Sequence, residues 1–494
     1  MKRNSLTTSV VAGIAGVAGI ASLANAVVLN PDGLGQVLLY PYFTTQAHQQ
    51  TLISVVNTTS ISKAVKVRFL EGHNSREVLD FNLYLSPFDV WTSTVFKKSD
   101  ASLAGDGAAI LTSDQSCTAP TKDQWTGTVG GNPYQEFFNY QYNGTNADTG
   151  PTGDSRTLEG HLELISMADI VPGSNLDQAV THVAGVPDDC DYAASIIASD
   201  PDLLPPTGGL FGAGAIVNGA QGTFYTYNAD AIDGFTVTAL FYGTSSLFPS
   251  LAQANTSPID ATAYVFNNGQ LITSNYTLAN AVDAVSAVFA QNAIFNEYNV
   301  DSAAGSNTDW VVTFPTKRFY VDPAIIGAAN PAIAPFSFRF GQNVTGNGLG
   351  LSCTQIGISQ WDREEGHPTV TVGFSPPPPG QPASSLCKES NVISFLNVSS
   401  APSASGVLGS TLVTNVKPFA KTGWMRLDLD PAGQPHAMRP SVDLDVYHGL
   451  PATGFEAVNY VNGNVTAGVL ANYSGLFRHR GSRNCTNTGT GACS

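Results

Sequence analysis

The sequence predicts a mainly β protein: one or two antiparallel β-sandwich domains, Ig-like or jelly-roll-like, with long loops and one substantial helix. Three observations carry that expectation. Apolar and polar residues alternate with period 2 in many short runs, the pattern of a strand with one covered face. Turn-forming clusters such as Asn30-Pro31-Asp32-Gly33, Asn267-Asn268-Gly269 and Asn462-Gly463-Asn464 punctuate those runs. Charged residues are only 12% of the chain while hydrophobic ones reach 43%, with 48 glycines among 494 residues. That balance argues against general disorder and suits strands whose outer faces carry Thr, Ser and Asn.

The elements follow in chain order. Residues 1–26 have the parts of a secretory signal peptide: Lys2 and Arg3, an apolar run from Val10 to Leu23, then Ala24-Asn25-Ala26, which places the mature start at Val27. Val65, Val67 and Phe69 alternate with Lys66 and Arg68; Phe81, Leu83 and Leu85 alternate with Asn82 and Tyr84. The same alternation recurs at Val237, Ala239 and Phe241, at Val370 and Val372, at Met425, Leu427 and Leu429, and at Val442, Leu444 and Val446. Residues 117–155, rich in Gly, Asn, Thr and aromatics, read as a long insertion. Ser174, with Asp177 three residues on, marks the start of a short helix. The substantial helix is expected over about 278–299, with Val282, Val285, Val288, Phe289 and Phe295 at helical spacing and Thr277 as its cap. Four consecutive prolines within 375–382 imply a stiff polyproline II loop. Punctuation between 245 and 257 divides the mature chain into an N-terminal β-sandwich domain, 27–250, and a C-terminal β-rich domain, 251–494, with strand exchange between the halves allowed.

Charge and cysteine content bound the function. The formal net charge is −16 and becomes more negative when Lys2 and Arg3 leave with the leader. Nucleic acid is therefore excluded as a partner, because phosphate recognition needs a basic face. After the leader no stretch is apolar enough for a transmembrane segment. All six cysteines, Cys117, Cys190, Cys353, Cys387, Cys485 and Cys493, follow the leader. An even count in an exported chain favours disulfides; of the many connectivities open to six cysteines, pairing of sequence neighbours is the simplest. The expected location is the periplasm, the cell surface or the medium.

Three stretches also resemble a group of uncharacterised exported proteins from Gram-negative bacteria. They are Gln36-Val-Leu-Leu-Tyr-Pro-Tyr-Phe43 with Lys66-Val-Arg-Phe-Leu-Glu71 and Val78-Leu-Asp-Phe-Asn-Leu-Tyr-Leu-Ser86; Asp309-Trp-Val-Val-Thr-Phe-Pro-Thr-Lys-Arg-Phe319; and Gly468-Val-Leu-Ala-Asn-Tyr-Ser-Gly-Leu-Phe-Arg478. The resemblance spans most of the mature chain and implies one evolutionary unit. It implies no activity and assigns no residue a role.

Catalytic signatures are absent: there is no G-x-S-x-G, H-E-x-x-H or Walker A sequence. Ser60-Ile-Ser-Lys63 fits S-x-x-K but sits where a hairpin turn is expected, and Gly346-Asn-Gly-Leu-Gly350 lacks a following helix. Three clusters remain. Glu159, His161 and Glu163 would share one strand face at about 7 Å spacing and could hold a divalent metal or move protons; a polar outer face explains them equally. Asp428, Asp430, Asp443 and Asp445 would converge if their strands paired across 431–441, with calcium or Arg426 and Arg439 as compensation. Trp361, Glu364 and Glu365 lie in the densest charge cluster and combine an aromatic with carboxylates, as sugar-binding and glycosidase sites do. Trp91, Trp125 and the stretch Tyr134 to Tyr142 offer a second aromatic platform, or simply core. The expectation is an exported, non-enzymatic structural, adhesive or surface-layer-type protein, free of cofactors unless calcium binds, with self-assembly or extracellular glycan as its partner. The alternative is a glycan-binding protein or glycoside hydrolase using the Trp361 and Glu364 region.

Overall fold

A computed structural model describes residues 26–341, 351–368, 384–395, 404–466, 468–489 and 493. The leader up to residue 25, the glycine cluster 346–350, the alternation at Val370 and Val372 and the proline run 375–382 lie outside the described residues.

The protein is mainly β and its sheets pack in pairs. The first sheet runs, edge to edge, through Val28–Leu29, Asp230–Asp233, Val37–Thr44, Glu159–Ile170, Lys63–Glu71, Glu77–Leu85 and Thr118–Ala119, with Leu203–Leu204 added beside Glu159–Ile170. Facing it is a sheet ordered Thr223–Asn228, Leu210–Asn218, Gln50–Asn57, Val90–Lys97, Ala108–Leu111, Asn132–Glu136, Gly127–Val129. Alternation decides which residues meet between them. Tyr40, Val65, Val67, Phe69 and Leu164 from the first sheet close on Ile53, Val55, Trp91, Val95 and Tyr225 from the second. In Gln50–Asn57 the burial alternates along the whole strand, so one face is wet, as the sequence pattern implies.

Lys63–Glu71 departs from that pattern because every residue in it is buried. Its Lys66 and Arg68 side does not face water, since other elements cover the back of the first sheet. One is the helix Ala281–Phe289, whose Ala284, Val285 and Val288 meet Val37, Leu39 and Ile165. Another is the short helical layer of Leu176, Val180 and Ala193. The buried cations are neutralised in place: Lys63 by Asp169 at 2.7 Å, Lys66 by Asp80, and Arg68 by Glu77 at 2.8 Å and Glu163 at 2.6 Å.

The C-terminal half repeats the arrangement with two five-stranded sheets. One is ordered Ser384–Leu386, Thr354–Asp362, Thr422–Asp428, Ala293–Asn299, Arg480–Ser482; the other Val413–Val416, Ser390–Phe395, Ser306–Thr313, Thr453–Thr466, Val469–Arg478. Ile294, Tyr298, Met425 and Leu427 pack on Trp310, Val312, Ile393 and Phe395 between them. The opposite face of the second of these sheets is not free. Val311, Val392, Phe455 and Ala457 join the core of the N-terminal sandwich, and Phe455 stacks on Tyr227 at 5.2 Å between centroids. Thr313 Oγ1 donates to the Pro41 carbonyl, and Arg76 pairs with Asp322 at 2.8 Å.

Several local expectations change. The helix is Ala281–Phe289, preceded by a 3-10 turn at Leu278–Asn280, and the chain becomes a strand at Ala293–Asn299. Phe295 belongs to that strand. Its spacing from Val288 and Phe289 satisfies a helical period by coincidence, whereas pairing with Thr422–Asp428 satisfies the backbone groups. The short helix Asn175–Val180 does start at Ser174, whose hydroxyl accepts from Asp177 N. Val237 to Phe241 form no strand; they cross the first sheet as irregular chain, with Leu240 N donating to Met167 O. Val442 and Leu444 stay 64% and 47% exposed, and the strand begins only at Asp445. Within 117–155, Asn132–Glu136 and Gly127–Val129 extend the second sheet. The three disulfides join Cys117 to Cys190, Cys353 to Cys387 and Cys485 to Cys493.

Candidate functional site

The nominated residues separate into two groups, those absorbed by structure and those at a groove. Glu159 and Glu163 lie in the fully buried strand Glu159–Ile170. Glu159 bridges the two halves: Tyr42 Oη and Gln46 Nε2 of the N-terminal half and Ser410 Oγ and Thr411 N of the C-terminal half donate to it. Glu163 holds Arg68, leaving His161 with Nε2 3.8 Å from Glu163 Oε1. No shared metal site forms from the three. The four aspartates do not converge either. Thr422–Asp428 pairs with its two sheet neighbours and Asp445–His448 pairs with Asn484–Asn487, so the strands never meet across 431–441. Asp428 accepts from Asp430 N, Asp430 from His436 N, Asp443 from Asn275, and Asp445 from Ser274 Oγ and Asn487 Nδ2. Arg439 pairs with Asp283 instead. Among the described residues, the one grouping of three potential metal donors is Asp445 with Cys485 and Cys493, and both sulfurs are committed to a disulfide.

Trp91 and Trp125 belong to the core, and from the Tyr134 to Tyr142 stretch only Phe138 and Tyr140 emerge, stacked at 4.9 Å. Lys63, the lysine of the S-x-x-K sequence, is spent on Asp169.

Trp361 has a different setting. In the sheet centred on Thr422–Asp428, the register aligns Trp361 with Trp424 and Trp424 with Glu297 across three adjacent strands. Directly opposed residues share a sheet face. Because Met425, Leu427 and Tyr298 point into the core, Trp361, Trp424 and Glu297 point outward. The two indoles stack with centroids 4.1 Å apart and planes 9° from parallel, Phe295 lies 6.4 Å from Trp424, and the Arg426 guanidinium sits over Phe295 at 5.8 Å. Gly423 makes the row possible, since a Cβ there would strike the Trp361 carbonyl.

The outward row opens onto a groove. Arg480–Ser482 covers only Ala293 to Phe295, so the later part of Ala293–Asn299 has an open edge on that side. Thr453–Thr466 and Val469–Arg478 run past this edge, held by Asn296 Nδ2 donating to Phe477 O at 3.1 Å. The resulting cleft of about 560 Å³ is lined by Glu297, Trp424, Glu456, Tyr460 and Phe477 with Asp362 and Arg363 at its rim. A continuation of about 530 Å³ runs toward Arg478 and Arg480. Phe477 is 56% and Trp424 37% exposed. Glu364 and Glu365 are exposed on the adjoining turn and do not line the cleft; Glu364 N and Gly366 N both donate to Asp362.

Glu456 gives the groove its electrostatics. It is only 4% exposed, and no described residue donates a hydrogen bond to its carboxyl or pairs with it. Burial chiefly, and then the charge of Glu297, push its pKa up to about 8. A third cleft, of about 520 Å³, lies on the outer face of the N-terminal sandwich between Leu52, Ser54, Thr92 and Ala213, and no charged side chain lines it.

Comparison of the chain with models of protein families, with curated proteins and with solved structures found no match in any of the three. Sequence reasoning nominated Trp361 but missed Trp424, Glu297, Glu456 and Phe477. Alternation about Met425 was the available signal for Trp424; Glu297 was hidden by the helical assignment of its strand.

Proposed function

We propose that this is an adhesive, non-enzymatic protein of the bacterial envelope or exterior that recognises glycan through the Trp361–Trp424 groove. The observation that carries the reading is the outward indole stack beside a cleft holding two carboxylates. Flat aromatic faces fit the apolar faces of sugar rings, and Glu297, Asn299 and Tyr460 offer polar partners for hydroxyls. The leader, the three disulfides and the resemblance to exported Gram-negative proteins support the location. Among the described residues no helix is long and apolar enough to cross a membrane.

Affinity electrophoresis of the purified protein through polysaccharide gels tests the reading. Retardation by at least one glycan, lost in Trp424→Ala at unchanged melting temperature, is expected. A protein that no glycan retards, or a variant retarded like the parent, overturns it. A hydrolytic reading has one specific observation in its favour, a carboxyl that holds its proton at neutral pH beside an exposed carboxylate, as an acid and base pair requires. Release of reducing ends by the protein, abolished in Glu456→Gln, would replace binding by hydrolysis.

A further inference from the structure

The geometry points to a glycan bearing a free primary ammonium, an amino sugar without its N-acetyl group, as the ligand of the groove, with Glu456 and Glu297 receiving the ammonium and Trp424 the ring. This inference rests on the glycan reading of the same site.

A carboxyl taken out of water is normally repaid by donors or by a cation. At other buried carboxylates that repayment is visible: Glu71 is held by Arg156 through both oxygens, Asp322 by Arg76 and Arg318, and Glu163 by Arg68. Glu389 is buried with neither carboxyl oxygen hydrogen-bonded, but it lines neither part of the groove. Glu456 is the exception at a solvent-connected cleft. Among the described residues it has no hydrogen-bond donor and no cation partner, and the charge that raises its pKa further is that of another carboxylate, Glu297. A neutral sugar would leave that deficit in place, because hydroxyls replace water one for one. An ammonium would remove it, through charge-assisted hydrogen bonds to both carboxylates and attraction to the Trp424 and Phe477 ring faces.

The other charged groups around the cleft do not supply the missing cation. Arg478 is engaged by Asp230, and Asp362 is occupied by the backbone of its own turn. Arg426 lies over Phe295, outside the cleft lining. Arg363 and Arg480 stand at opposite ends, and His479 is directed to Val311 O and the Trp310 ring. The centre of the groove is therefore acidic and aromatic, while its ends are basic. An ammonium seated centrally also displaces the proton that Glu456 carries at neutral pH, so binding releases protons.

Isothermal titration of the full-length mature protein with the tetramers of glucosamine, of N-acetylglucosamine and of glucose (cellotetraose), each in two buffers of different ionisation heat, tests this. The glucosamine tetramer should bind at least about tenfold tighter than the other two, roughly 1.4 kcal/mol, with proton release. Glu456→Gln should reduce that preference below about threefold and abolish the proton release, and Trp424→Ala should weaken all three ligands. Equal affinity for the three tetramers overturns the amino-sugar inference and leaves the glycan reading standing. A glucosamine preference that survives Glu456→Gln overturns it as well. Spermidine binding as tightly as the glucosamine tetramer would make the groove a simple cation site, and failure of every oligosaccharide would sink both readings.

Discussion

Arg156 shows how this protein carries charge in its interior. Its guanidinium is fully buried, reaches Glu71 with Nε and Nη2 and Asp148 with Nη1 and Nη2, and lies over the Tyr142 ring at 4.3 Å. Burial alone would raise the Glu71 pKa, but Arg156 overcomes it and holds the carboxyl down to about 2. Its contribution to stability is therefore present above the ordinary carboxylate range and disappears as pH falls toward 2. Arg156→Met should cost about 3–5 kcal/mol in urea unfolding, because two buried carboxylates lose their cation together; a loss under 1 kcal/mol would refute the assignment. Glu456 has the opposite sign. With its folded pKa raised to about 8, the native state keeps a proton that the unfolded chain has released, so stability falls as pH rises from about 4.5 to 8. Glu456→Gln should leave the free energy of urea unfolding unchanged at pH 4 and raise it at pH 8.5 by on the order of a few kcal/mol. A difference independent of pH would show that this carboxyl has the same pKa in the folded and unfolded chain.

At the scale of elements, local chemistry and long-range pairing compete. The hairpin Asp260–Asn267 and Gln270–Thr277 is legible from Asn268-Gly269 alone, since both residues adopt positive φ, +50° and +82°, as a tight hairpin turn requires. Gly269→Ala should cost about 1 kcal/mol through backbone strain. Ala293–Asn299 was not legible in this way. Its residues satisfy periods of both 2 and 3.6, and only pairing with Thr422–Asp428 selects the strand that aims Glu297 outward. The disulfide Cys117–Cys190 ties the edge strand Thr118–Ala119 to the short helix Cys190–Ala194 across 73 residues. Replacing both cysteines by Ser should lower stability by about 2–4 kcal/mol in the chain-entropy model, with amide exchange accelerating first in those two elements.

At the scale of the molecule the two sandwiches are not independent. Phe455 and Val311 complete the N-terminal core, Val28–Leu29 begins the first sheet while Val27 bonds to Thr262 and Tyr264, and Arg76 reaches Asp322. Calorimetry should therefore show one unfolding transition, and residues 27–250 expressed alone should not show a cooperative one. Two resolved transitions would contradict this coupling.

The amino-acid sequence by itself determined the β class, the hairpin turns, the leader-like start and an even cysteine set, because each follows from period, turn chemistry or composition within a few residues. Tertiary structure alone decided which strand faces are dry, which cysteines meet, and that Trp424, stacked on Trp361, lines one groove with Glu297 and Glu456. Those residues lie on four strands of two sheets, and alternation along a strand states that a face is covered without stating by what. The choice of partner rests on long-range registers, and so does the unpaired carboxyl at the groove's centre.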